Sequence, residues 1–293
     1  TSMDGVDASI IQSDGENKYK PILDKYFKYP AGIFKDLTKL RDKIKSSKDL
    51  KKFSKEVKNI EKEITLFHAK AVKEITKKIK IKVDFIGFHG QTIYHDVREK
   101  ISKQLGDAKL LSKLTKKTVV YDFRQNDLKN GGEGAPLTPI FHKMLAEKFN
   151  LAQKKISPST QGTFINIGGI TNITRIDSDF NIYAQDCGPG MCLVDKWIRL
   201  NSKNKIDKDG KIASKGNIKN EIVRDYIMKT HKLLDNYRGS LDVGDYNLSL
   251  VKNLSFRDGA ATLTELTAVN TLEWAERYCV EDSNLILCGG GRK

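Results

Sequence analysis

No stretch of this 293-residue chain approaches the roughly 18 consecutive apolar residues that a membrane-spanning helix needs. Nor does a short apolar run follow a basic segment near the start, as it would in a secretory leader. Cysteine is scarce. Cys187, Cys192, Cys279 and Cys288 are too few for a disulfide framework at this length, so a reducing cytoplasm is expected. Arginine is scarce as well: the 52 basic residues are 10 arginines and 42 lysines, against 37 acidic residues, for a net charge of +15. Readers of bases and clamps on phosphates favour arginine, whose planar fork grips two acceptors at once. The lysines are densest between Lys43 and Lys82 and are mixed with Glu56, Glu61, Glu63 and Glu74, which describes a solvated surface. No nucleic-acid partner and no membrane partner is expected.

What is present is ordinary for a globular protein: 39 % hydrophobic and 30 % charged residues, in a length that suits two domains. Ser46-x-x-Asp49 has the form of a capping box. After it Leu50, Phe53, Val57, Ile60, Ile64, Phe67, Ala71 and Ile75 recur at steps of three and four, which predicts an amphipathic helix of about seven turns. Strands are predicted at Ile81–Phe88, Thr118–Phe123, Thr163–Ile167, Thr171–Ile176, Phe180–Ala184 and Asn284–Cys288. The three between Thr163 and Ala184 read as an antiparallel meander. Helices are predicted near Cys192–Leu200, Ile218–Leu234 and Thr262–Tyr278, the last opening on a second box, Thr262-x-x-Glu265. This mixture predicts an α/β protein in two lobes, with a crossing point in Glu147–Gln161.

Four segments carry more than a scaffold requires. Thr1, Ser2, Met3, Asp4, Gly5, Val6 and Asp7 read as a tight turn that offers backbone N–H groups to phosphate and a carboxylate to a Mg²⁺ water. Asn166-Ile-Gly-Gly-Ile-Thr-Asn172 places Gly168 and Gly169 between two strands. A backbone could approach phosphate there, although a hairpin wants glycine whatever its function. Asp186-Cys-Gly-Pro-Gly190 sets a carboxylate at a strand end, suited to a general base or to a helix cap. Gly289, Gly290 and Gly291 could let a flat base or a ribose lie on the backbone. Two polar clusters join them. His89 and Gln91 lie at the end of one strand, and Arg124 and Asp127 stand before a glycine-rich loop, together resembling a pocket for an anionic polyhydroxyl ligand.

The blocks TSMDGVD, GFHGQTIYH, DFRQNDL with GGEGAPLTP, FINIGGITNIT, DCGPG with LVDKW, TLTELTA and LILCGGGRK stand in the order and spacing of the anhydro-N-acetylmuramic acid kinases. The chain resembles that family over nearly its whole length, least between Gly32 and Lys80. The resemblance implies the sugar kinase, actin and Hsp70-like ATPase (ribonuclease H-like) fold, with a first lobe over 1–158 and a second over 159–293. It implies ATP and Mg²⁺ as cofactors and a small-molecule sugar as partner. By the same resemblance residues 1–7, Gly168 and Gly169 cradle phosphates, and Gly289–Gly291 lie by the adenosine. His89, Gln91, Arg124 and Asp127 would line the sugar pocket, and Asp186 would be the base. Pairing as a homodimer in a bacterial cytoplasm is implied too. The reaction implied is cleavage of a 1,6-anhydro sugar with phosphorylation at O6, in peptidoglycan recycling.

Two departures matter. Met191 stands where the family carries an Asn, and a thioether cannot supply that side chain's hydrogen bonds. Both ends also read as cut: a turn opens the chain, and an apolar strand entering three glycines closes it. The alternative expectation is therefore a non-catalytic remnant of such a kinase that binds nucleotide or sugar weakly.

Overall fold

The computed structural model describes residues 3–16, 18–151, 161–234, 241, 243–279 and 283–292. Thr1, Ser2 and the expected lobe boundary at 158/159 lie outside them. Two compact units divide the chain, Thr1–Ala135 and Pro136–Lys293. The division falls earlier than the sequence reading because the helix Pro139–Lys148 packs on the strands of the second unit.

In the first unit β1 (Gly5–Ser13) and β2 (Tyr19–Lys28) form an antiparallel hairpin. Pro21 opposes Ile11 where the register shifts, so a bulge accommodates the residue that cannot donate to a ladder. Neither strand is signalled by clean alternation, and the sequence reading missed both. Three helices follow: α1 (Ala31–Lys43), α2 (Ser47–Lys52) and α3 (Ser54–Thr76). The expected capping box is present, with the Asp49 carboxylate accepting the Ser46 N–H at 2.9 Å. The single long helix is broken at Phe53, and its apolar stripe of Val57, Ile60 and Ile64 joins Leu37, Leu40, Ile93 and Leu105 in one core. The helices carry ion pairs beside this stripe: Lys43 lies 3.6 Å from Glu56, Lys103 lies 2.7 Å from Glu61, and Lys25 pairs with Glu74.

The rest of this unit is built of short pieces. Strand β3 (Phe85–Phe88) runs parallel to β6 (Thr118–Tyr121), and β4 (Gln91–Asp96) antiparallel to β5 (Ile101–Leu105). Helix α4 (Ala108–Thr115) starts at Asp107, whose carboxylate accepts the Leu110 N–H, and α5 (Phe123–Lys129) follows β6.

The second unit opens on α6 (Pro139–Lys148) and carries a four-stranded sheet in the order β10-β7-β8-β9. Strands β7 (Gln161–Ile167), β8 (Ile170–Ile176) and β9 (Ile182–Pro189) form the expected meander, and β10 (Ser283–Cys288) lies parallel to β7. Helices α7 (Cys192–Asn201), α8 (Asn220–Leu234) and α9 (Phe256–Tyr278) complete it. Helix α9 begins earlier than its Thr262 box suggests. Ser255 is the cap, accepting the Asp258 N–H at 3.1 Å, while Thr262 is fully buried inside the helix and accepts the Lys219 N–H. All four cysteines are free. No helix among the described residues is long and apolar enough to cross a membrane.

His142 on α6 makes the second unit sensitive to acid. Its ring stacks on Phe164 at 4.5 Å, its Nδ1 lies 3.0 Å from Thr174 Oγ1, and burial pushes its pKa from 6.5 down to about 4. The unfolded chain takes up this proton first, so stability present at neutral pH is lost as pH falls from the ordinary value through the folded one. Unfolding in urea should lose roughly 1–3 kcal/mol of stability over that window through this one group. His142→Gln should flatten the difference between neutral and acidic midpoints; an undiminished slope would remove His142 as its source.

Candidate active site

In the second unit the glycine segments are drawn to one end of the sheet by backbone hydrogen bonds. Gly168 and Gly169 turn β7 into β8. Their carbonyls accept the N–H groups of Met191 (2.8 Å), Gly190 (3.0 Å) and Cys192 (3.2 Å), the first residues of the β9–α7 connection. A helix start normally leaves such donors unpaired. Here the Gly-Gly turn satisfies them, so it serves α7 as well as the hairpin. Gly289 comes to the same place at φ +86°, where a Cβ would stand 2.5 Å from the Ile167 carbonyl and 2.7 Å from Asn166 Oδ1. Gly291 packs on Ile167 and on Met191, which caps α7 with its thioether against this glycine. Of the three terminal glycines, only Gly290 has open space where a side chain would be.

Asp186 is not on a turn. The strand β9 runs through it to Pro189, with Asn172 opposite Asp186 and Thr171 opposite Gly188, so Cys187 is an extra residue in a bulge. The strand continues through Gly188 and Pro189 and ends before Gly190. Asp186 is 8 % exposed, and its Oδ2 accepts the Leu241 N–H at 2.8 Å. It does not cap α7, whose N-cap is Met191. The neighbouring Cys187 thiol is pushed up by its burial and by the Asp186 carboxylate, which leaves it inert as a nucleophile.

In the first unit the expected opening turn is mostly strand. Gly5, Val6 and Asp7 pair with Lys28, Phe27 and Tyr26 in the hairpin, and Met3 and Asp4 bend. Met3 holds φ +60° and buries its side chain in the core. Gly5 is needed by packing: a Cβ there would stand 2.5 Å from the Phe27 carbonyl and 2.6 Å from the Tyr26 ring. The Asp4 carboxylate accepts the Tyr26 hydroxyl, and burial together with Asp4 raises that phenol to about 12. Partial desolvation and the Asp4 charge also raise the Asp7 carboxyl.

The His89 and Arg124 clusters do meet. Arg124 Nε donates to His89 Nε2 at 3.0 Å and Nη1 to the Gly134 carbonyl at 2.6 Å. His89 Nδ1 lies 2.9 Å from the Gly90 carbonyl, which fixes the proton on Nδ1 and leaves Nε2 as acceptor. Burial, then Arg124, lower the His89 pKa and keep the ring neutral. Asp127 Oδ2 accepts the Gly134 N–H at 2.7 Å, so this carboxylate and Arg124 hold one loop from two sides. Gln91 is buried in β4, with its amide 3.4 Å from the Thr92 carbonyl.

The sequence reading passed over Asn270 on the buried face of α9, and it gave no role to the side chains of Thr267, Thr171 and Asn172, although these stand in segments it singled out. The oxygens Thr171 Oγ1, Asn172 Oδ1 and Asn270 Oδ1 are buried without a partner, on elements that flank Asp186. A buried Asn inside a helix of otherwise core-facing residues was the available signal. Among the described residues no three metal-ligating side chains cluster.

A buried carboxylate beside a set of glycine-lined backbone turns is an arrangement suited to phosphoryl transfer, where positioning and charge do most of the work. The comparisons give the family. The family model described as anhydro-N-acetylmuramic acid kinase matches residues 1–293. Proteins of that name from Pelagibacter ubique (47 % identical over 299 residues), Agrobacterium fabrum (36 % over 295) and Brucella canis (34 % over 297) align with all of this chain and with 78 % of their own length. This chain belongs to the anhydro-N-acetylmuramic acid kinase family. Among solved structures, a PPX-GPPA enzyme of Aquifex aeolicus covers 99 % of this chain and 93 % of its own, at 11 % identity and a TM-score of 0.33, too distant to carry an argument.

The glycines differ in what they tolerate. At Gly190 a Cβ would run into the Gly168 carbonyl, whereas at Gly168 it would stand 3.3 Å from the Ile170 carbonyl. Gly190→Ala should therefore cost roughly 1–3 kcal/mol more than Gly168→Ala. Denaturant unfolding of the two variants measures the difference, and equal costs would contradict the close approach.

Proposed function

We propose that this protein is an ATP-dependent kinase that converts 1,6-anhydro-N-acetylmuramic acid and water to N-acetylmuramic acid 6-phosphate, with ADP as co-product. The observation that carries the reading is family membership over the whole chain. In this reading the Asp186 carboxylate takes a proton from water as its oxygen bonds to C1. The C1–O6 bond breaks, and O6 takes the γ-phosphoryl group as ADP leaves. The burial of Asp186 and its bond from the Leu241 N–H support a fixed base.

In this reading residues 1–7, Gly168, Gly169 and Gly289–Gly291 are the residues that bind ATP. Open space at Gly290 suits an adenosine laid on backbone. Mg²⁺ would neutralise charge on the transferring group, and Asp4 with Asp7 would hold its waters, consistent with the electrostatic coupling of the two carboxyls. Arg124 would bind the lactyl carboxylate, its guanidinium oriented by His89 and the Gly134 carbonyl. Gln91 and Asp127 complete that pocket, Asp127 chiefly by holding Gly134. In the same reading the fold is the two-lobed actin-like ATPase fold, and the protein acts as a homodimer in the bacterial cytoplasm.

Asp186→Asn keeps size and one acceptor but removes basicity. Turnover to the phosphosugar should fall roughly 10²–10⁴-fold while ATP and sugar still bind. Near-normal turnover in the variant would sink the assignment, and no phosphosugar from the unaltered protein would favour a weakly binding remnant. Arg124→Ala should weaken sugar binding roughly tenfold or more with ATP binding little changed. Calorimetric titration of each ligand separates the two, and equal losses would count against Arg124 as the sugar's anchor.

A further inference from the structure

We infer that Asn270 is a positioning residue that holds the strand carrying Asp186 in the bulged form its carboxylate requires; this rests on the reading of Asp186 as the base. Helix α9 turns Leu263, Thr267, Asn270, Trp274 and Tyr278 towards one side at helical spacing. Such a face is ordinarily apolar when it packs on a sheet. In α9 its middle is polar and buried, with Thr267 at 5 % and Asn270 at 0 % exposure.

Three side chains of this face reach β9 or the residue just after it. Thr267 Oγ1 donates to the Gly190 carbonyl at 2.7 Å, Asn270 Nδ2 to the Cys187 carbonyl at 3.0 Å, and the Tyr278 hydroxyl to Gln185 Oε1 at 2.7 Å. Asp186 lies between the residues so held. Cys187 is the bulged residue, dropped from regular pairing with β8, and a buried carbonyl there needs a donor from elsewhere. Asn270 supplies it. Gly188 follows at φ +134°, and a Cβ on it would stand 2.8 Å from Asn270 Nδ2. The amide fills the space that glycine alone leaves. The bulge, the glycine and the amide are thus one device, and it sets the direction of the preceding carboxylate.

The test is steady-state kinetics of phosphosugar formation, with thermal unfolding in parallel, on Asn270→Ala, Asn270→Ser and Asp186→Asn. Misplacement of a base by about an ångström costs on the order of 10²-fold in rate, so Asn270→Ala should lower kcat roughly 10–100-fold with both KM values little changed. Asn270→Ser, which keeps a hydroxyl donor, should recover part of the loss. A kcat within about twofold of the unaltered enzyme overturns the inference, as does a loss expressed only in KM or a Ser variant no better than Ala. If Asn270→Ala does not fold, Thr267→Val removes the neighbouring hydroxyl at nearly constant volume. It should lower kcat about tenfold, and an unchanged kcat overturns the inference. Normal turnover in Asp186→Asn would instead bring down the base reading and this inference with it. An inactive Asp186→Asn beside a fully active Asn270→Ala brings down only the role of Asn270.

Discussion

Met191, Gly190 and Cys192 stand at the point where a strand becomes a helix, and their N–H groups end on the carbonyls of a hairpin turn some twenty residues earlier. Buried backbone donors must find acceptors, and a helix start has donors to spare. Satisfying them here fixes the β7–β8 turn, the end of β9 and the start of α7 as one piece. The Gly289–Gly291 segment then packs on the same piece through Ile167, Asn166 and Met191. Without those three bonds the glycine segments would be unrelated turns.

The same constraint reaches Asp186. A carboxylate on a free loop would sample many directions, whereas Asp186, inside an edge strand, has its backbone fixed by the ladder to β8 and by a helix above it. The sheet supplies one side of this restraint through Asn172, and α9 supplies the other through Cys187 and Gly190. Rigid elements place a reacting group more accurately than loops do. In the first unit the solution is local. Arg124, which also donates to His89, shares Gly134 with Asp127, so a loop that would otherwise wander is held by a guanidinium on one side and a carboxylate on the other.

The strongly basic composition contributes little to this picture. The described ion pairs sit on partly exposed faces, such as Lys43 with Glu56, where solvent screens them. Met191 shows a different use of composition. Its side chain takes part in the packing of α7 and lies against Gly291.

The sequence by itself determined what repeats at a fixed period or is carried by several blocks in register. The apolar stripe of α3, the meander from Gln161 to Pro189, the free thiols and the family were legible in this way. The turn residues were visible but misread. Glycine in Gly5 and Gly188 looks like turn chemistry from sequence, while in the structure both lie in strands, Gly5 making room for Tyr26 and Gly188 for the Asn270 amide. The hairpin of β1 and β2 was missed because Pro21 and its bulge break the alternation that would announce a strand. Only the tertiary structure decided which carbonyls answer which donors across long separations, from Gly168 to Met191 and from Cys187 to Asn270. The physical reason is that a backbone hydrogen bond does not depend on side-chain identity, so residue order carries no mark of its distant partner.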